Sequence, residues 1–167
     1  MGSGKSSVGR LLARKLRRRF SDTDRLIISR EGREIAEIFE TDGEDYFRGA
    51  ETAALRSLIG RTGLVVATGG GIVTRPENLE ILRDLGFVVW LKADEEVIYE
   101  RVSRNEKRPL VKTADPRATI RDLYAKRLPL YEAAAQFCIN TSTLPHRDVA
   151  EGIIAEANRR YPNQVEA

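Results

Sequence analysis

Gly2-Ser3-Gly4-Lys5-Ser6-Ser7 opens the chain and runs straight into apolar residues at helical spacing, Val8, Leu11, Leu12 and Leu16. The six residues form the second half of the phosphate-loop pattern G-x-x-x-x-G-K-[ST], with Gly4-Lys5-Ser6 as its end. In a fold built on this loop a buried strand stands immediately before it and a helix immediately after. Backbone N–H groups of the loop and of the helix N-terminus cradle phosphates. Lys5 reaches the outer phosphates as a point charge, and the Ser6 hydroxyl is placed for Mg²⁺. The first residues therefore point to a nucleoside triphosphate.

The leading glycine of the pattern would fall before Met1, and no buried strand precedes the loop within the 167 residues. The expectation is a gene start further upstream, with Met1 as an internal loop methionine. The alternative is a genuine truncation. Loss of a central strand would expose core at a cost of many kcal/mol and leave such a chain marginally stable.

Strands alternate with helices along the rest of the chain. Ser6 to Arg18 reads as helix, and Phe20 leads a short strand ending in Ser21-Asp22-Thr23-Asp24. Arg25 to Phe39 reads as helix with a break at Glu31-Gly32-Arg33, and Glu44 to Ile59 as another. Gly63 to Thr68 is a continuous apolar run, the mark of a strand covered on both faces. Helices over Pro76–Leu85, Asp94–Ser103, Ala118–Ala135 and Arg147–Tyr161 alternate with strands over Phe87–Leu91 and Phe137–Thr141. Trp90 is expected in the core. Residues 104–117 read as a polar, flexible loop, and the tail from Pro162 as frayed. The pattern predicts a single α/β domain over 1–167, with a parallel sheet between helical layers and right-handed crossovers.

Twenty-eight basic and 25 acidic side chains leave a net charge of +3, too even for general affinity to nucleic acid. It is compatible with a local basic pocket for small anions. Cys138 is the only cysteine, so no internal disulfide forms, and its apolar neighbours place it in a buried strand. No stretch is long enough to span a membrane and no secretory signal opens the chain, so a cytoplasmic location is expected.

Asp22 and Asp24 are one residue apart at a strand end, where i and i+2 face the same way. Both carboxylates could enter one cleft, Asp22 toward Mg²⁺ and Asp24 toward a substrate hydroxyl. The same residues equally suit the N-cap of the following helix. Gly69-Gly70-Gly71 at the end of an apolar strand lets a ligand approach the backbone and its N–H groups. Arg48 follows Phe47 in a helix opened by Gly43-Glu44-Asp45. Arg108 lies in Arg108-Pro109-Leu110, and Arg127 in Lys126-Arg127-Leu128-Pro129-Leu130-Tyr131. An arginine alone is usually a solvated surface residue; the context of these three sets them apart.

Taken in order, these segments resemble the shikimate kinase family over almost the whole chain. The resemblance rests on Gly2 to Arg10, Asp22-Thr23-Asp24, Ile35 to Phe39, Gly43 to Arg48 with Glu51, Gly69 to Gly71, Arg108 to Leu110, and Lys126 to Tyr131. It implies a three-layer α/β/α phosphate-loop fold with sheet order 2-3-1-4-5, the central first strand not being among these residues. It implies transfer of the γ-phosphate of ATP to the 3-hydroxyl of shikimate, in the route to chorismate and the aromatic amino acids, with Mg²⁺.

The resemblance also assigns roles. Gly2, Ser3, Gly4, Lys5, Ser6 and Ser7 would bind nucleotide, with Ser6 and Asp22 serving the metal. Asp24 would bind and orient the shikimate hydroxyl. Arg48, Gly70, Gly71 and Arg127 would hold shikimate, the two arginines its carboxylate. Arg108 would close a lid over residues 104–117, Arg101 would lie on the adenine side, and residues 25–60 would form the substrate-binding region. A monomer is expected, with ATP and shikimate as its partners and neither nucleic acid nor membrane among them. Arg17-Arg18-Arg19 stands in a turn where the family often has Gly and Pro, and His146 is expected as an exposed loop residue. Rival readings are another small-molecule kinase of this fold, such as a gluconate kinase, and a non-catalytic nucleotide-binding module.

Overall fold

The structure is a computed structural model, which describes residues 2–103 and 115–162. The order is α1 (Lys5–Lys15), β1 (Arg19–Asp22), α2 (Thr23–Glu31), α3 (Ile35–Thr41), α4 (Gly43–Arg56), β2 (Leu64–Ala67), a 3₁₀ turn (Ile72–Thr74) and α5 (Pro76–Leu85). It continues with β3 (Val89–Lys92), α6 (Glu95–Ser103), α7 (Pro116–Ala134), β4 (Phe137–Asn140) and α8 (His146–Arg160). Strands and helices alternate as the hydrophobic pattern predicts, and the boundaries move for local reasons. Gly32 ends α2 in the left-handed conformation with φ 67°, which accounts for the break read at residues 31–33. Asp115 caps α7 by accepting from the Ala118 amide at 2.9 Å, with Pro116 at the first helical position. That helix therefore starts two residues before the expected Ala118.

The strands form two parallel pairs. β1 pairs with β2 in the register Arg19 to Leu64 through Asp22 to Ala67, and β3 pairs with β4 from Val89–Phe137 to Lys92–Asn140. Between the pairs lies a cavity of about 1070 Å³, bordered by Val65 and Val66 of β2 and by Val89, Trp90 and Leu91 of β3. Two plus two is what the order 2-3-1-4-5 leaves when its central member is not among the residues. Trp90 is not fully buried core: it lines the cavity half-buried, stacked on Tyr131 with ring centroids 5.7 Å apart.

Helices cover both sides of the strands. On one side α1 and α8 pack through Val8, Leu12, Val149, Ala150 and Ile153 against Leu91. On the other, α4, α5 and α7 share Leu55, Val73, Ile81, Leu82 and Ala134. A third cluster, Ile27, Ile38, Phe47 and Ala54, closes α2, α3 and α4 into a small helical unit over residues 23–56. Full burial of side chains such as Ile27 and Ile38 stabilises the fold by about 1.5–3 kcal/mol each. Cys138 also departs from expectation. It lies in β4, but strand alternation turns Phe137 and Ile139 inward and leaves the thiol exposed. Partial desolvation holds that thiol above its ordinary pKa, so it is not an activated nucleophile. Among the described residues no helix is long and apolar enough to cross a membrane.

Candidate functional site

The C-terminal ends of the strands carry the site. On the phosphate side, Gly4 is the N-cap of α1 with φ 84°; no side chain caps this helix and its first turn holds no acid. The positive end of this helix suits an anion. Gly2 packs against the Ile98 carbonyl and Val102. Arg101 of α6 donates to the Gly2 carbonyl at 3.2 Å and to the Thr141 carbonyl at 2.8 Å. Thr141 is fully buried; its amide donates to the Lys92 carbonyl, and its hydroxyl lies 3.0 Å from that oxygen and 3.3 Å from the Ser3 carbonyl. The loop is thereby stitched to the ends of β3 and β4. His146 is not in a loop: it begins α8, with Nε2 3.0 Å from where a Cβ on Gly4 would stand.

Asp22 divides its two oxygens. Oδ2 accepts from the Ser6 hydroxyl at 2.9 Å, and Oδ1 accepts from the Asp24 amide at 3.1 Å as the N-cap of α2. Asp22 thus caps α2 and at the same time touches the Ser6 hydroxyl. Strand alternation does not relate Asp22 to Asp24, because β1 ends at Asp22 and Asp24 belongs to the first turn of α2. Asp24 turns instead toward Gly69: a Cβ there would lie 3.1 Å from Asp24 Oδ1 and would collide with Glu51. Fully buried Thr23 between the two acids accepts from the Gly69 amide at 3.2 Å, tying β1 to the glycine turn.

A ring of charge surrounds that turn. Arg48 donates through Nη1 to Glu51 at 2.5 Å, and through Nη2 and Nε to Glu44 at 2.7 and 3.1 Å. Glu51 is 1% exposed, while Glu44 is exposed to solvent. Burial pushes the Glu51 carboxyl above the usual carboxylate range; Arg48 opposes this, Asp24 adds to it and Arg127 reduces it. Those interactions place Asp24, Arg48, Glu51 and Arg127 in one electrostatic cluster. Gly71 has φ −91°, open to any residue, but a Cβ there would collide with the Arg48 guanidinium. Here glycine leaves room for the Arg48 guanidinium and answers no conformational need.

Every carbonyl of the triplet is in use: Gly69 accepts from the Ile72 amide, Gly70 from the Tyr131 hydroxyl, and Gly71 from the Thr74 amide and hydroxyl. The Gly69 amide donates to Thr23, whereas those of Gly70 and Gly71 have no protein acceptor among the described residues. The turn therefore presents two N–H groups beside two guanidiniums, an arrangement suited to a carboxylate.

The structure gathers Lys5, Ser6 and Asp22 on one side and Asp24, Arg48, Gly70, Gly71 and Arg127 on the other. Arg108 lies outside the described residues. Ser7 is exposed, and Arg101 engages backbone carbonyls. Sequence reading assigned no role to Glu51, Thr23, Tyr131 or Thr141. Helical spacing held a signal for two of them, since Glu51 follows Arg48 by three residues and Tyr131 follows Arg127 by four.

A phosphate loop at a helix start, oxygen donors beside it and paired arginines at the strand ends suit a phosphate-loop phosphotransferase, and the comparisons with known proteins indicate an ATP-dependent kinase. A family model described as "Shikimate kinase" matches residues 1–158. The chain belongs to the shikimate kinase family. It is 44% identical over 154 residues to the shikimate kinase of Bordetella pertussis, covering 92% of this chain and 73% of that one. To the shikimate kinase of Thermodesulfovibrio yellowstonii it is 44% identical over 159 residues, covering 95% and 91%. Among solved structures, the shikimate kinase from Acinetobacter baumannii in complex with shikimate superposes with a TM-score of 0.92 at 40% identity, over 96% of this chain and 90% of that one. That from Aquifex aeolicus superposes with a TM-score of 0.80 at 32% identity, over 98% and 94%.

Proposed function

We propose that this chain transfers the γ-phosphoryl group of ATP to the 3-hydroxyl of shikimate, giving ADP and shikimate 3-phosphate. The observation that carries this reading is the convergence of Arg48, Arg127 and the Gly70 and Gly71 amides on one turn, with Asp24 beside it. Two guanidiniums and two amides fit the shikimate carboxylate bidentately, and a neighbouring carboxylate fits a hydroxyl.

Lys5 neutralises charge on the outer phosphates, and the amides at the start of α1 hold the rest of the chain of phosphates. The hydroxyl of Ser6 and the carboxylate of Asp22 are hard oxygen donors side by side, the donor set Mg²⁺ takes. They would hold it directly or through water. Bound there, Mg²⁺ supplies neutralisation of phosphate charge. Asp24 orients the acceptor hydroxyl and takes its proton, which calls for hydrogen-bond reach more than an unusual pKa. Residues 25–60 act as the acceptor-binding region and residues 104–117, with Arg108, as a lid that excludes water. The protein works as a monomer.

The test is a coupled ADP-release assay with and without shikimate, on the wild type and on Asp24→Asn. Shikimate-dependent release should be present in the wild type and fall by about 10²–10⁴ in the variant, while ATP binding is retained. ATP binding without shikimate-dependent release in the wild type overturns the reading.

A further inference from the structure

We propose that Tyr131 is a positioning residue for the acceptor, acting through one peptide plane; this rests on the phosphotransfer to shikimate proposed above. The Tyr131 hydroxyl donates to the Gly70 carbonyl at 2.7 Å, a contact 61 residues apart in sequence. The Gly70 C=O and the Gly71 N–H belong to the same peptide unit, which is planar and trans, so they point in opposite directions. Holding the carbonyl toward α7 therefore aims the Gly71 amide away from α7. That is the amide with no protein acceptor among the described residues, on the residue that lies against the Arg48 guanidinium.

A glycine peptide is the place where such a hold matters, because glycine turns freely about both backbone dihedrals. The flanking peptides are already tied: the Gly69 carbonyl to the Ile72 amide, and the Gly71 carbonyl to Thr74. The Gly70–Gly71 plane has Tyr131 as its anchor. Tyr131 in turn has little freedom. Its ring stacks on Trp90, and burial keeps its hydroxyl above the ordinary tyrosine pKa, so it remains a proton donor through the neutral range. Arg127, one helical turn earlier on α7, interacts electrostatically with the same hydroxyl and with Glu51. Pro129, between them, removes the hydrogen bond that would have reached the Ala125 carbonyl. The anchor to Gly70 therefore fixes α7 against the glycine turn at the point where its own ladder is interrupted. One residue sets both the direction of an amide and the seat of a guanidinium meant for the same carboxylate.

Tyr131→Phe keeps the ring on Trp90 and removes only the hydroxyl. The KM for shikimate should rise about five- to tenfold, the size expected for one buried hydrogen bond and the amide it aims. The kcat and the KM for ATP should stay within about twofold, and the unfolding temperature should fall by no more than about 5 °C. A KM for shikimate within twofold of wild type overturns the proposal. So does a parallel rise in both KM values with a lowered unfolding temperature, which would make the hydroxyl a general prop of the fold. A wild type without shikimate-dependent ADP release removes the proposed function and this inference together. An active wild type with an indifferent Tyr131→Phe removes the inference alone.

Discussion

Arg48 and Glu51 form an ion pair one helical turn apart in α4, at 2.5 Å, with the carboxylate all but excluded from solvent. The pair is not simply a stabilising device. A buried ion pair roughly balances desolvation against attraction, and its value lies in what it orients. Glu51 holds one arm of the guanidinium while exposed Glu44 holds the other. Under the proposed function, a substrate carboxylate would take the place of exposed Glu44 and leave buried Glu51 as the anchor.

Arg127→Ala should weaken shikimate binding about 10- to 100-fold, the range for losing charge-assisted hydrogen bonds. The KM for ATP should change less than threefold. Steady-state kinetics with each substrate varied in turn decides it; equal effects on both substrates would sink the carboxylate assignment.

Gly71→Ala tests crowding and not backbone conformation. The φ of −91° suits alanine, but the new Cβ displaces the Arg48 guanidinium. The unfolding temperature should fall by no more than a few degrees, while the KM for shikimate should rise about tenfold or more, approaching that of Arg48→Ala. An unchanged KM would show that Arg48 can serve the acceptor from another position.

Glu51 predicts a pH dependence with a definite sign. Its carboxyl is raised by burial, against the pull of Arg48. Folding then favours the protonated form, so its contribution is full below the unfolded value of about 4.3 and declines as pH rises toward the folded value. Glu51→Gln removes that titration. Urea midpoints measured from pH 4 to 7 should decline less with pH in the variant than in the wild type. Parallel curves would mean that Arg48 fully compensates the burial.

Arg17 is the one non-glycine residue with positive φ among the described residues, at 52°, in the exposed turn between α1 and β1. Left-handed backbone costs an L-residue about 1–2 kcal/mol, part of which glycine gives back through its greater freedom when unfolded. Arg17→Gly should therefore stabilise by about 0.5–1 kcal/mol and raise the unfolding temperature by about 1–4 °C. Kinetic constants should not move, since the turn lies at the opposite end of β1 from Asp22. A lowered unfolding temperature would show that the Arg17 side chain contributes more than its backbone costs.

The succession of elements and most of the candidate site were readable in the residues alone. Periodicity of 3.6 located α1, a run rich in Ala, Leu and Glu located α4, the apolar runs located β2 and β3, and the ordered motifs pointed to Lys5, Ser6, Asp22, Asp24, Arg48 and Arg127. These are local properties: spacing within a helix, capping chemistry and the dipeptides that bound a turn depend on neighbours a few residues away. What only the tertiary structure decided are the contacts between distant segments. Cys138 and Trp90 read as core because their neighbours are apolar, yet exposure depends on which face of a strand is covered, and for Trp90 on the cavity between two strand pairs. Asp24 left the strand because capping by Asp22 starts α2 one residue later. Glu51 and Tyr131 fall in segments that carry the family resemblance, but sequence reading assigns neither a role. Their roles arise because α4 and α7 meet at Gly69–Gly71, where the absence of side chains lets a carboxylate and a phenol reach the backbone.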